Sequence, residues 1–305
     1  PSCDAMCLLA HKSLHSFASV SHRYYRRHCL CSTLTSAGKG SGTDTVLTWV
    51  DPDNRRDVAR VLEIAERAAQ RWDVVWTDFL PPPIVADSMA ALTGRTDVVC
   101  LPWGGYAQAE RCRLALGREE LIEPLRADPQ QLDGVAALQV KGNFMFDPAK
   151  HPDFLGAIIG TGVVREKIGD ILIQGESGAQ ILVDPELVEH FEMSLVQVRT
   201  VPVEVHRIPL SELSVRPPRQ EEISSVEASL RLDAIASAGF RVSRTKMGDL
   251  IKAGDVRLNW RSVSKTSVEV KAGDVISCSG KGRLEVRAAE MTRKEKYLVT
   301  LLRYV

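Results

Sequence analysis

Beyond residue 50 the apolar positions of this chain change period repeatedly, and each change marks an element. Val58, Val61, Leu62, Ala65, Ala68 and Ala69 recur at helical spacing behind Asp51-Pro52, an N-cap acid and a first-turn proline, so a helix is predicted there. Short apolar runs at 74–76 and 98–101 read as strands and 84–92 as another helix, and residues 44–133 are expected to form an N-terminal α/β domain. Within it, Trp103-Gly-Gly-Tyr106 followed by Glu110-Arg111 is either a packed loop or the lining of a site.

Residues 134–215 give a second pattern. A strand at 135–140 precedes a helix at 151–159 that closes on Gly160 and Gly162. Two β runs, 171–174 and 180–183, are joined by Gly175-Glu-Ser-Gly178, a hairpin signal. Asp184-Pro185 then caps a helix reaching Met193, and 201–207 alternates as a last strand. The order β-α-β-β-α-β predicts a ferredoxin-like, RNA-recognition-like domain. Its third strand, Gln180-Ile-Leu-Val183, lacks the aromatic pair on which such domains stack bases. Residues 216–225, with Pro217-Pro218-Arg219, read as a linker.

Residues 226–305 are predicted to begin with a helix over 231–239. Ser243 caps a second helix over 244–254, with Met247, Leu250 and Ile251 on one side and Arg244, Lys246 and Lys252 directed elsewhere. A strand over 256–260 and a turn at Gly273-Asp274 follow. Arg231-Leu-Asp233, Gly239, Ser243-Arg244, Leu250-Ile251, Gly254-x-Val256-x-x-Asn259 and Gly273-Asp274-x-Ile276 together resemble the alpha-L RNA-binding motif of the ribosomal S-four type. Arg231, Ser243, Arg244 and Lys246 can share one surface, extended along the strand by Arg257, Asn259 and Arg261, and guanidinium groups suit phosphate oxygens. Trp260 stands where the motif usually has Gly; it either stacks on a base or packs against Val263.

The resemblance extends to about residues 45–305. His151-Pro-Asp-Phe-Leu-Gly-Ala157, Arg165-Glu-Lys-Ile-Gly-Asp170, Gly178-Ala-Gln-Ile-Leu-Val-Asp-Pro185, Arg216-Pro-Pro-Arg219, and Gly104-Gly-Tyr106 with Glu110-Arg111 look like the YlmH-like family. Its photosynthetic branch comprises the photosystem II S-four-domain proteins. The resemblance implies an α+β protein of three folded domains without catalytic activity. Its partners would be ribosomal RNA and the large ribosomal subunit near peptidyl-tRNA, in quality control or rescue of stalled translation. For the photosynthetic branch it implies the chloroplast stroma and an association with photosystem II biogenesis, which makes photosystem assembly proteins a further class of partner.

Charge sharpens this picture. The 305 residues sum to zero net charge, yet 44–150 carries −5, 151–225 carries −6 and 226–305 carries +7. A basic module on an acidic body suits a polyanionic partner, RNA or an anionic membrane surface. The overall composition, 44% hydrophobic and 26% charged, is that of a folded globular protein. No stretch approaches the roughly 18 to 20 uninterrupted apolar residues of a membrane helix.

Residues 1–43 carry eight serines, five basic residues and one acid, which reads as a transit peptide or a disordered leader, with chloroplast the expected destination and mitochondrion the alternative. Cys29-x-Cys31 near His22 and His28 lacks zinc-knuckle spacing, and no metal or cofactor is expected. Catalysis is disfavoured on the motifs. The Arg-Leu-Asp triplet also occurs around the catalytic acid of pseudouridine synthases, but only a short tail follows the module here. Gly160-Thr-Gly162 lacks the third glycine of a nucleotide loop, and there is neither a P-loop nor a nucleophile elbow.

Overall fold

The computed structural model describes residue 47 and residues 50–127, 133–216 and 220–304. The leader and its Cys/His cluster lie outside these residues. The described chain forms two compact units that divide at residues 215 and 216.

In the first unit Asp51 accepts the Asp53 N–H at 3.1 Å and opens a short 3-10 turn, from which α1 (Arg55–Arg71) runs with the six predicted apolar residues buried. It stops at Trp72, which turns left-handed (φ 54°) and returns its N–H to Ala68. β1 (Val75–Trp76), α2 (Pro82–Leu92), β2 (Val99–Trp103), β3 (Arg113–Gly117) and α3 (Glu119–Ala127) follow, the strands forming an antiparallel sheet in the order β1-β3-β2.

The next elements are β4 (Ala136–Lys141), α4 (His151–Gly160), β5 (Ile168–Ile173), β6 (Gly178–Val183), α5 (Val188–Ser194) and β9 (Glu204–Ile208). Their sheet order, β5-β6-β4-β9, is the ferredoxin-like one expected from the sequence. The run 201–207 divides at Val203. Val201–Pro202 (β8) pairs with Gln197–Val198 (β7) in a separate ribbon, and only β9 joins the main sheet.

Successive residues of a strand face opposite sides of its sheet, and here both sides are dry. Leu138, Val140, Ile181 and Val183 meet Phe154 and Ile158 of α4 and Phe191 of α5. On the other side Ala137 and Leu182 join Phe79, Leu101, Trp103 and Ala115 of the N-terminal segment in one core. The face on which RNA-recognition domains usually stack bases is therefore covered by protein.

Ion pairs and close backbone contacts seal that junction. Arg113 and Asp184, whose side chains are 8% and 3% exposed, pair at 2.9 Å, and Lys167 bridges Asp184 (2.7 Å) and Asp78 (3.1 Å). Burial opposes the Asp184 charge, but the Lys167 hydrogen bond and the nearby Arg113 hold its carboxyl below the usual range. The Trp103-Gly-Gly-Tyr106 loop is part of the seam. A Cβ on Gly105 would lie 2.7 Å from Leu182 Cδ1, and the residue's φ of +92° also demands glycine. Asp170 accepts hydrogen bonds from the Tyr106 hydroxyl (2.8 Å) and from the N–H groups of Glu110 (2.7 Å) and Arg111 (3.1 Å).

The second unit contains β10 (Gln220–Glu227), α6 (Leu232–Phe240), α7 (Arg244–Ala253), β11 (Val256–Leu258), β12 (Arg261–Ser262), β13 (Val275–Cys278), β14 (Gly282–Met291) and β15 (Tyr297–Tyr304). Its six-stranded antiparallel sheet has the order β10-β15-β14-β13-β11-β12. Residues 220–225 are thus not linker but most of an edge strand, paired with β15 from Gln220↔Tyr304 onward. Their alternation of exposed and half-buried positions is masked in the sequence by adjacent glutamates and serines. Both helices press on one face of the sheet, where Leu232, Ile235, Phe240, Met247 and Ile251 meet Val256, Ile276, Leu284, Val299 and Leu301. Among the described residues no helix is long and apolar enough to cross a membrane.

Candidate nucleic-acid interface

The site expected from the sequence lies where α6 and α7 begin. Ser243 ends the turn between them, and its Oγ accepts the Lys246 N–H at 3.3 Å, which places Arg244 and Lys246 in the exposed first turn of α7. Gly254, at φ +83°, closes the helix. At the start of α6 the backbone is tied to the segment after β12: Leu232 N–H donates to Val268 O (2.8 Å) and Asp233 N–H to Thr266 O (3.2 Å).

Asp233 organises this surface. Its carboxylate accepts Arg231 Nε at 2.9 Å and Nη2 at 3.3 Å, and Arg244 Nη2 at 2.8 Å. The acid is 11% exposed, while the two arginines are 44% and 56% exposed. Burial opposes the acid's charge, but the hydrogen bonds from Arg231 and then Arg244 hold its carboxyl below the usual range. Arg231 at the cap of α6 and Arg244 in the first turn of α7 are thereby fixed side by side. A guanidinium has five N–H donors, so each keeps donors for a ligand, and pre-ordering lowers the entropic cost of binding. With both carboxylate oxygens engaged, Asp233 has the surroundings of a positioning residue.

The strand residues divide. Asn259 is consumed internally: its Nδ2 donates to Asp274 (2.9 Å) and its Oδ1 accepts the Val275 N–H (2.9 Å). This clasp accounts for the spacing of Asn259 and Gly273-Asp274 in the motif. Val256 and Leu258 face the core, so Arg257 between them faces away from the helices, whereas Arg261, paired with Leu258, faces the helix side. The expected surface is therefore not continuous: the register sets Arg231, Ser243, Arg244, Lys246 and Arg261 apart from Arg257, and Asn259 braces the fold.

The predicted strand over 256–260 stops at Leu258. Asn259 (φ 52°) and Trp260 (φ 69°) make a two-residue hairpin turn, left-handed at both positions. Asn tolerates this geometry and Gly is favoured at the second position, where a tryptophan costs about 1–2 kcal/mol. The indole is partly exposed and lies 5.8 Å from the Arg283 guanidinium.

Lys265 is a candidate that sequence reasoning missed. It is exposed next to Thr266, which touches both the Asp233 N–H and the α7 face at Gly248, where a Cβ would come 3.8 Å from Thr266 Cγ2. Gly248 is one turn from Arg244, so the backbone of this loop, Lys265 included, runs close to the helix starts that carry the arginine pair. The motif leaves this loop unspecified, and the lysine alone gave no signal. Among the described residues no group of three or more His, Cys, Asp or Glu side chains is arranged to hold a metal ion.

Three family models match consecutive stretches of the chain. They are described as "YlmH, N-terminal" (residues 53–121), "Putative RNA-binding domain in YlmH" (129–212) and "S4 domain" (230–276). A protein of Bacillus subtilis, "Ribosome-associated protein quality control protein P2", is 33% identical over 252 residues, 82% of this chain and 95% of its own length. A solved structure titled "Cell division protein ylmH from Streptococcus pneumoniae" matches 53% of this chain and 94% of its own, at 20% identity and a TM-score of 0.43. The resemblance in the motifs is thus borne out along almost the whole of a relative and in three successive domains, and the chain belongs to the YlmH family.

Proposed function

We propose that this protein is a non-catalytic RNA-binding protein that docks on ribosomal RNA of the large subunit of a plastid ribosome, near peptidyl-tRNA, and serves translation quality control or rescue of stalled ribosomes. The observation that carries the reading is the pair Arg231 and Arg244, held together by Asp233 at the start of the two helices, on a module of charge +7. Phosphates spaced along a folded RNA reward such a preset cluster of donors. The quality-control name of the Bacillus subtilis relative supports the ribosome as target. The covered sheet face of the central domain leaves no stacking platform there and supports the C-terminal module as the main RNA contact. The acid-poor leader supports import into the chloroplast stroma, with the mitochondrion as the other destination.

The test is sedimentation of organelle lysate through sucrose gradients at low and high salt, with wild type and Arg244→Glu in parallel. Salt-sensitive comigration with large ribosomal subunits, lost in the variant, is the expected result. Migration with membrane complexes regardless of the substitution would instead favour a scaffold for photosystem II assembly that uses the acidic unit as its interface.

A further inference from the structure

The sheet of the C-terminal module has a second face, turned away from the helices. Its register sets Arg257 opposite both Ser262 and Ser277, Ser277 opposite Arg283, Arg283 opposite Tyr304, and Tyr304 opposite Gln220. Directly paired residues point the same way, so one row of cationic, aromatic and hydroxyl side chains crosses all six strands without a carboxylate. Arg283 lies 4.6 Å from the Tyr304 ring centroid and 5.8 Å from that of Trp260. Glu285, in the adjoining row, is engaged by the Tyr304 hydroxyl at 2.8 Å and by Arg287 at 3.3 Å.

Trp260 is the unusual member. It occupies a left-handed turn position at φ 69°, where glycine would be relaxed, and it remains partly exposed. A strained backbone that holds a large aromatic ring at the surface implies a use for the ring beyond packing. The surroundings select the occupant: two arginines and two serine hydroxyls suit phosphate and ribose, and an indole braced by a guanidinium suits the flat face of a base.

We propose that this face is a second RNA contact, in which Trp260 stacks on an unpaired base and Arg257 takes a neighbouring phosphate. The inference rests on the RNA-binding reading above and adds a separate surface to it. Phosphate docking at the helices supplies most of the salt-dependent affinity, and stacking at the hairpin selects RNA with a base available outside a helix.

The experiment measures the affinity of the full chain for isolated chloroplast large ribosomal subunits at two salt concentrations, in wild type, Trp260→Gly, Trp260→Phe and Arg244→Glu. Hydrogen exchange across residues 255–263 is followed in each protein. Trp260→Gly is expected to weaken binding by roughly 5- to 100-fold with the salt slope unchanged, since stacking involves no counterion. Trp260→Phe keeps binding within about threefold of wild type, and exchange in Trp260→Gly is no faster than in wild type, because glycine relieves the left-handed strain. Unaltered binding by Trp260→Gly alongside loss in Arg244→Glu overturns the second contact and leaves the first. Unaltered binding in both, or no binding by wild type, overturns both. Faster exchange in Trp260→Gly makes the ring a packing residue, and equal losses in Gly and Phe variants exclude stacking; either result ends the proposal.

Discussion

Replacing Asp233 by Asn tests whether this acid positions arginines or performs chemistry. The substitution keeps the shape of the side chain and removes its charge, so Arg231 and Arg244 lose the carboxylate that holds them together at 2.9 and 2.8 Å. Hydrogen bonds between charged groups are worth about 1.5–3 kcal/mol when well shielded. Here the arginines are 44% and 56% exposed, so solvent screening brings the expected cost of losing the Asp233 charge to about 1 kcal/mol. One kcal/mol corresponds to roughly fivefold faster hydrogen exchange across residues 232–253, measured at neutral pH by mass spectrometry. The folded carboxyl has a lowered pKa, so its stabilisation is complete above the unfolded value near 4 and fades as pH falls through the lower folded value. The difference between wild type and Asp233→Asn should therefore shrink below about pH 4. Affinity for large subunits should change by less than about tenfold, because weaker pre-ordering is offset by removal of a negative charge next to phosphate. Unchanged exchange together with complete loss of an RNA-modifying turnover would refute the positioning role and make Asp233 a catalytic acid.

Two further outcomes concern the first unit. Asp184→Asn should cost about 3–5 kcal/mol in urea unfolding, because it leaves Arg113, 8% exposed, without its buried counter-ion; it should also flatten the acid limb of the stability curve below about pH 4, where the wild-type carboxylate takes up its proton. A loss under 1 kcal/mol would mean that water reaches the pair. Gly105→Ala should destabilise by about 2–4 kcal/mol through its φ of +92° and the 2.7 Å approach to Leu182, and adding Leu182→Ala should cost less than the sum of the two single changes; strict additivity would contradict the contact.

Much of the architecture was legible because local periodicity and burial agree. The six apolar positions of α1 are the six it buries, and the order of elements in the central domain could be read from hairpin and cap residues. Ser243 caps α7 as its residue type and place predict. Residues 220–225 misled, since prolines and charges upstream read as linker while pairing with β15, distant in sequence, decided their structure. The Gly-Gly loop at 104–105 could be read as a turn but not as a seam, because Leu182 and Asp170 arrive from another domain.

By itself the sequence determined the family, the basic C-terminal module and the pair of helices that carries Arg231 and Arg244, since composition, spacing and caps act within a few residues of each other. Only the tertiary structure decided what each polar group does. Asn259 spends its amide on Asp274 and Val275, Asp233 gathers Arg231 at the cap of one helix and Arg244 in the first turn of the next, Arg257 lies on the face opposite them, and Thr266 ties a distant loop to the Asp233 backbone. The physical reason is that strand parity and hydrogen-bond partnership are settled by elements far apart in the chain, which no local pattern encodes.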